Sequence, residues 1–250
     1  MNKKNEKSYL LVLLLIIFII LLIFSSIKII KYILDSNDNE EIIEDISTSI
    51  QRGENNTEND TDDNKYQIDF ETLKHTNPDT IGFLKVNGTD IESIIVKTTD
   101  NNYYLNHNFE KKENSAGWIF ADYRNKLDGT DKNIIIYGHN MRNGTMFASL
   151  KNILNKEWYQ TIENRYVTFI TAEETCIYEV FSIYQIESEE YYTQTNFNNL
   201  EFISFIDTLK KRSQFNFNVG VSQNDKILTL STCANNNRYR VVLHAKKINT

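Results

Sequence analysis

Two cysteines, four histidines and an arginine-bearing C-terminal hairpin hold most of the covalent chemistry this 250-residue sequence offers. Cys233 follows the run KILTLST (226–232), whose alternation predicts a strand with Leu228 and Leu230 on one face and Thr229, Ser231 and Cys233 on the other. The strand beyond the turn alternates as well, with Tyr239, Val241, Leu243 and Ala245 facing the core and Arg238, Arg240, Val242 and His244 on the side of Cys233. A thiol at a strand end beside a guanidinium sits in the setting that favours the thiolate, the nucleophilic form. By pattern alone Cys233 also fits a small buried hydrophobe.

A nucleophilic thiol needs a proton partner, and histidine is the usual one. His139 follows NIIIYG (133–138), an apolar strand, and opens the polar loop 140–144. Strand ends that display a residue on a loop while a sheet fixes its base are favoured places for catalytic groups. His75, in an expected helix before Asn77-Pro78, and His107, in a polar turn, read as surface groups. His244 lies well along its strand and is expected to be structural. Cys176, in mid-pattern of another strand, is also expected to be structural. No metal-ligand set is apparent, and neither a metal nor a cofactor is expected.

The elements that must hold these residues fall into zones. Residues 1–8 form a short basic start, and residues 9–30 an apolar segment whose first sixteen residues carry no charge. That length predicts a membrane-spanning helix, with no A-x-A-like site after it to mark a cleaved signal peptide. Lysines flank both ends, so the positive-inside bias is slight. Residues 31–65 are expected to be an acidic flexible stalk, with helical spacing of Ile42, Ile43, Ile46 and Ile50. Residues 66–250 alternate short strands with few helices, which indicates a mostly-β sandwich or barrel. Helices are expected near 69–75, 146–158 and 200–212, the last presenting Leu200, Ile203, Phe205, Ile206 and Leu209. The net charge of −7 is uneven: +4 over 1–34, −9 over 35–65 and −2 over 66–250. A nearly neutral folded part argues against a nucleic-acid binder.

In this order and spacing, TLSTC (229–233), RVVLHAK (240–246) and YGHNM (137–141) resemble the sortases, membrane-anchored cysteine transpeptidases of Gram-positive bacteria. The segments IGFLKVNGTDIES, DNNYYLNHNF and AGWIFADYRN are similar to that family's class B, and the likeness runs from about residue 66 to 246. It implies a closed β-barrel of about eight strands, with an N-terminal helix and a long helix inserted before the Cys strand. It also implies acyl transfer by Cys233, His139 and Arg240. Cys233 would cleave an LPXTG- or NPQTN-like sorting signal of a surface protein after its Thr, and a peptidoglycan amine would take the acyl group. Substrate contacts would come from Asn101, Leu105, Tyr137 and Ser231, with Tyr191 and Tyr192 walling the groove. The resemblance further implies an N-terminus in the cytoplasm and a catalytic domain facing the cell wall. One departure is the Leu inserted before His244; a register slip there would select Arg238 instead of Arg240. A pilus-polymerising member is less expected, because no second apolar span precedes Thr250. Two other readings stay open: a cysteine endopeptidase that releases product to water, and a non-enzymatic tethered β domain with a Cys176–Cys233 disulfide.

Overall fold

The computed structural model describes residues 3–53, 66–234 and 238–248, the side chains of residues 3–8, 233 and 234 excepted. A single helix, α1 (Lys3–Ser47), leads into a small antiparallel pair, β1 (Ile50–Arg52) with β2 (Tyr66–Ile68). After the short α2 (Phe70–Thr76) come β3 (Thr80–Val86), β4 (Glu92–Val96), β5 (Phe120–Ala121) and β6 (Asn133–Gly138). A 3-10 turn (Ala148–Leu154) and α3 (Lys156–Gln160) precede β7 (Tyr166–Ile170) and the long β8 (Thr175–Glu187). The chain ends through α4 (Asn199–Arg212), β9 (Ile227–Ala234) and β10 (Tyr239–Ile248).

Among the described residues, eight strands close a barrel in the order β10-β8-β7-β3-β4-β5-β6-β9. Closure leaves no strand edge unpaired, so positions along every strand are set by register rather than by loops. The pairings are antiparallel except for β4 with β5 and β6 with β9. Alternation does the sorting as expected at the last hairpin: Leu228, Leu230, Val241, Leu243 and Ala245 enter the barrel core. The opposite face is covered by α4, whose Phe202, Phe205, Ile206 and Leu209 pack with Ile227, Val242 and Tyr184. A capping box between Asn198 and Glu201 starts that helix by meeting two of its free amide groups.

Three expectations are corrected. Leu200 is exposed, and the buried stripe of α4 runs through Phe202 instead of Leu200 and Ile203. The helix expected over 146–158 divides at Asn155, whose extended backbone separates the 3-10 turn from α3. The expected stalk is ordered over its first part: α1 continues unbroken to Ser47, and Ser36, Asn39, Ile42 and Ile46 are buried against the barrel. Residues 54–65 of that segment lie outside the described residues.

Candidate active site

β6 and β9 run parallel, with Tyr137 paired to Ser231 and Gly138 to Thr232. The next residues along the two strands are His139 and Cys233, so the ladder brings the two positions to the same barrel end. β10 adds Arg240, whose Cα is the direct partner of Cys233. The backbone of Cys233 belongs to β9, and its side chain lies outside the described residues.

A cleft of about 190 Å³ opens at this end. Its walls include Tyr137, Gly138 and His139 from β6, Ser231 and Thr232 from β9, and Arg240 from β10. Asn101, Leu105, Phe120 and Tyr192 complete them. A hollow of about 280 Å³ at the opposite barrel end holds Cys176 but no histidine among its lining residues, and one of about 810 Å³ beside α1 is lined by neither residue type. Only the smallest of the three therefore brings histidine and arginine to a cysteine strand.

The Nε2 atom of His139 lies 2.8 Å from the Leu105 carbonyl oxygen. A carbonyl can only accept, so Nε2 carries the proton and, in the neutral ring, Nδ1 carries the lone pair. Two glycines make this arrangement possible. A Cβ at Gly138 would stand 2.7 Å from the Phe147 ring, which packs beneath the His139 loop. Gly117 has φ +59° and would put a Cβ 2.3 Å from the Tyr104 carbonyl oxygen and 2.9 Å from that of Leu105, so only glycine lets the chain pass there.

Behind the cleft sits a residue that the sequence did not single out. Asp122 is fully buried and accepts hydrogen bonds from Asn101 Nδ2, the Tyr137 hydroxyl, and Nε and Nη2 of Arg124. Burial pushes its carboxyl upward, but the Arg124, Tyr137 and Asn101 bonds outweigh that and hold it below the ordinary carboxylate range. Burial beside the Asp122 charge raises the Tyr137 hydroxyl, so it remains a donor. Arg124 also donates to the Thr193 carbonyl, tying the turn that carries Tyr192 to the same carboxylate. The hydroxyls of Tyr192 and Ser231 lie 3.0 Å apart across the cleft floor. Three of the expected substrate contacts, Asn101, Tyr137 and Tyr192, are thus held through one anion or its arginine. The only hint in the sequence was the Asp-Tyr-Arg run after an apolar strand, and nothing there ties it to Asn101.

The remaining candidates fall elsewhere. Tyr191 is not a wall of the cleft; it packs on Phe205 and Arg212 of the α4 side. Arg238 is exposed and paired with Glu187. His107 stacks on Tyr103, and His75 is exposed. His244 is fully buried, with Tyr184 Oη 2.8 Å from Nε2 and Thr229 Oγ1 2.9 Å from Nδ1. Burial, with the nearby Arg212 charge, depresses its pKa to about 3, so it is a neutral structural group. Cys176 is buried and free of any disulfide, which removes the disulfide reading. Its strand neighbour Ile177 pairs with Ile248, eight residues along β10 from the partner of Cys233. That is roughly 25 Å of strand, whereas a disulfide tolerates a Cα separation of about 7 Å at most.

The family model for the sortase domain matches residues 84–248, which takes in every residue of the cleft. The chain belongs to the sortase family. It is 38% identical over 181 residues to the sortase B of Listeria monocytogenes, covering 70% of this chain and 72% of that one. Sortase B of Clostridium perfringens superposes with a TM-score of 0.68 at 37% identity, over 72% of this chain and all of that one. A Staphylococcus aureus sortase B–substrate complex superposes with a TM-score of 0.67 at 33% identity, over 72% of this chain and 85% of that one. The closed eight-strand barrel with its N-terminal helix is the fold of these sortase B structures. This chain is therefore an enzyme of the sortase family.

Proposed function

We propose that this sortase cleaves the C-terminal sorting signal of surface proteins and joins the acyl half to a peptidoglycan amine. The observation that carries this reading is the parallel β6–β9 ladder, which aligns the His139 and Cys233 positions while β10 sets Arg240 across from Cys233. The Cys233 thiolate attacks the carbonyl carbon between Thr and the next residue of an LPXTG- or NPQTN-like signal. The tetrahedral intermediate collapses as the C–N bond breaks, and His139 gives the leaving amine its proton. The acyl group is then a thioester on Cys233. An incoming amine attacks the thioester and gives up a proton to His139, the C–S bond breaks, and Cys233 leaves as the thiolate with which the cycle began. Arg240 faces the negative charge that develops on the carbonyl oxygen, a donor role often worth about 3 kcal/mol. Leu105, Asn101, Tyr137, Ser231 and Tyr192 wall the peptide groove.

The substrate complex of the S. aureus relative and a sortase B solved with triglycine support a peptide substrate and an amine acceptor. The apolar start of α1, from Tyr9, is long enough to cross a bilayer. As an uncleaved anchor with a cytoplasmic N-terminus, it places the barrel on the cell-wall side.

The test is a panel of quenched LPXTG- and NPQTN-type peptides given to the full chain in detergent, with and without triglycine. Cleavage that requires Cys233, together with a triglycine-ligated product, supports the reading. A product released only to water, whatever the amine concentration, would instead favour the endopeptidase.

A further inference from the structure

The imidazole of His139 is held from two sides, and both supports lead to the same turn and a half of α1. The first is its own loop. Phe147 N–H donates to the His139 carbonyl and Asn140 bridges to Met146, which closes the loop. Inside it, the Asn143 side-chain oxygen accepts from Thr145 N–H and from its hydroxyl. The Asn143 amide nitrogen reaches outward, donating to the Ser36 hydroxyl at 2.6 Å and the Glu40 carboxylate at 2.9 Å. The second support is the Leu105 carbonyl that receives Nε2. Trp118 N–H holds the neighbouring Tyr104 carbonyl, and Gly117 presses against Leu105. That 114–117 segment is pinned to α1 in turn. Asn39 Nδ2 donates to the Gly117 carbonyl, Asn114 Nδ2 to the Asp35 carbonyl, and Ser115 N–H to the Asp35 carboxylate.

We propose that residues 35–40 of α1 position the catalytic imidazole, with Asn143 as the positioning residue on one side and the 114–117 segment on the other. This rests on the reading of His139 as the acid–base group. The contacts belong to the span-proximal part of the helix. With a rise of 1.5 Å per residue, Ser36 lies about 9 Å beyond residue 30, where the apolar stretch ends. The element that anchors the enzyme and the element that holds its imidazole are thus one rigid helix, and the cleft is referenced to the bilayer surface. A sorting signal presented close to the membrane meets a site fixed at that height.

Ser36 and Asn39 are buried polar groups on a helix whose flanking residues are charged, and their partners are loop atoms rather than a core. Such bonds add specificity of position more than stability, because each replaces a bond to water. Misplacing a catalytic group by about 1 Å can cost on the order of 10²-fold in rate.

The experiment uses the full chain in detergent or nanodiscs. Asn143→Asp replaces the donor with a carboxylate facing Glu40, and the two repel. The expected result is a fall in kcat of ~10-fold or more with KM little changed, and an altered pH profile of kcat. Pairing Asn143→Asp with Glu40→Lys restores an attractive contact, and kcat returns to within about threefold of the parent enzyme. Glu40 is exposed, so Glu40→Lys alone gives a folded enzyme in which the Asn143 bond to that residue is lost; its kcat falls in the same direction. Histidine ring resonances of the labelled enzyme report the imidazole independently of turnover, and those of His139 shift in Asn143→Asp and return in the double variant. The inference is overturned if a folded Asn143→Asp enzyme keeps its kcat and the His139 resonances, or if the double variant recovers neither. His139→Ala serves as the separate control: activity surviving in that variant would refute the acid–base reading itself rather than the role of α1.

Discussion

Cys233 and Arg240 are direct partners across the antiparallel β9–β10 ladder, so their backbone separation is fixed by strand register and not by the turn between them. Arg238, two residues earlier, leaves the ladder and pairs with Glu187 in solvent. The two arginines therefore have separable effects. Arg240→Ala is expected to lower kcat/KM for a sorting peptide by on the order of 10²-fold, as loss of an oxyanion donor does. Arg238→Ala is expected to stay within about twofold, since exposed ion pairs contribute little. Steady-state cleavage of one quenched peptide by both variants decides between them.

Gly117 controls the carbonyl that receives His139. Gly117→Ala forces a Cβ against the Tyr104 and Leu105 carbonyl oxygens at a positive φ. The expected outcome is a fall in kcat of ~10-fold or more from a misplaced imidazole, with a loss of stability of about 1–3 kcal/mol. Parallel measurement of kcat and thermal unfolding separates this from a variant that merely unfolds. An enzyme with normal kcat would show that the Leu105 carbonyl does not hold the ring.

Asp122 offers a different test, since it touches walls of the cleft rather than the reacting groups. Asp122→Asn leaves the Arg124 charge without its partner and turns an amide toward Asn101. Arg124 is partly exposed to solvent, so the cost is that of a lost charged hydrogen bond, about 1–3 kcal/mol, rather than that of stranding a buried charge. The substrate groove should loosen, so KM for the peptide is expected to rise several-fold more than kcat falls. Tyr137→Phe removes one bond to the same carboxylate and is expected to cost about 1 kcal/mol in unfolding experiments.

The last hairpin was legible in the sequence because Leu228 and Leu230, and Val241, Leu243 and Ala245, recur at every second position, and that face of each strand meets the core. His139 stood out because an apolar strand stops at Gly138 and a polar loop begins. The docked part of α1 was hidden. Its buried stripe begins with Ser36 and Asn39, small polar residues that a hydrophobic pattern does not register, within a stretch dense in Asp and Glu. Asp122 was hidden for a related reason. A charged residue after a two-residue strand looks solvated, and its burial depends on Asn101, Tyr137 and Arg124 converging from three segments. Leu200 misled because it is apolar, yet at about 100° per residue it lies on the face of α4 opposite Phe202, Phe205, Ile206 and Leu209.

His244 sets an acid limit on stability. The Thr229 hydroxyl donates to Asn133 Oδ1, so His244 Nδ1–H donates to Thr229, and Nε2 is left to accept from Tyr184. Protonation at Nε2 would break that contact in a closed interior. The folded pKa of about 3 lies below the ordinary value of 6.5, so the unfolded chain binds the extra proton first. The contribution is complete above pH 6.5 and is lost as pH falls through the window from 6.5 toward 3, by up to ~1.4 kcal/mol per pH unit. Asp122, held low by its partners, loses its own contribution in acid as well. Denaturant unfolding of the parent and of His244→Gln from pH 7 to 4 isolates the histidine: the difference in stability between the two is expected to shrink as pH falls.

Intact-mass spectrometry of the full chain mixed with a sorting peptide, in buffer free of added amines, probes the acyl transfer most directly. The expected spectrum contains a species heavier by the acyl fragment ending at Thr, mapped to Cys233, absent in Cys233→Ala and discharged by triglycine as the ligated peptide appears. Peptide turnover with no such adduct in the parent enzyme, or an adduct that persists in Cys233→Ala, would contradict it.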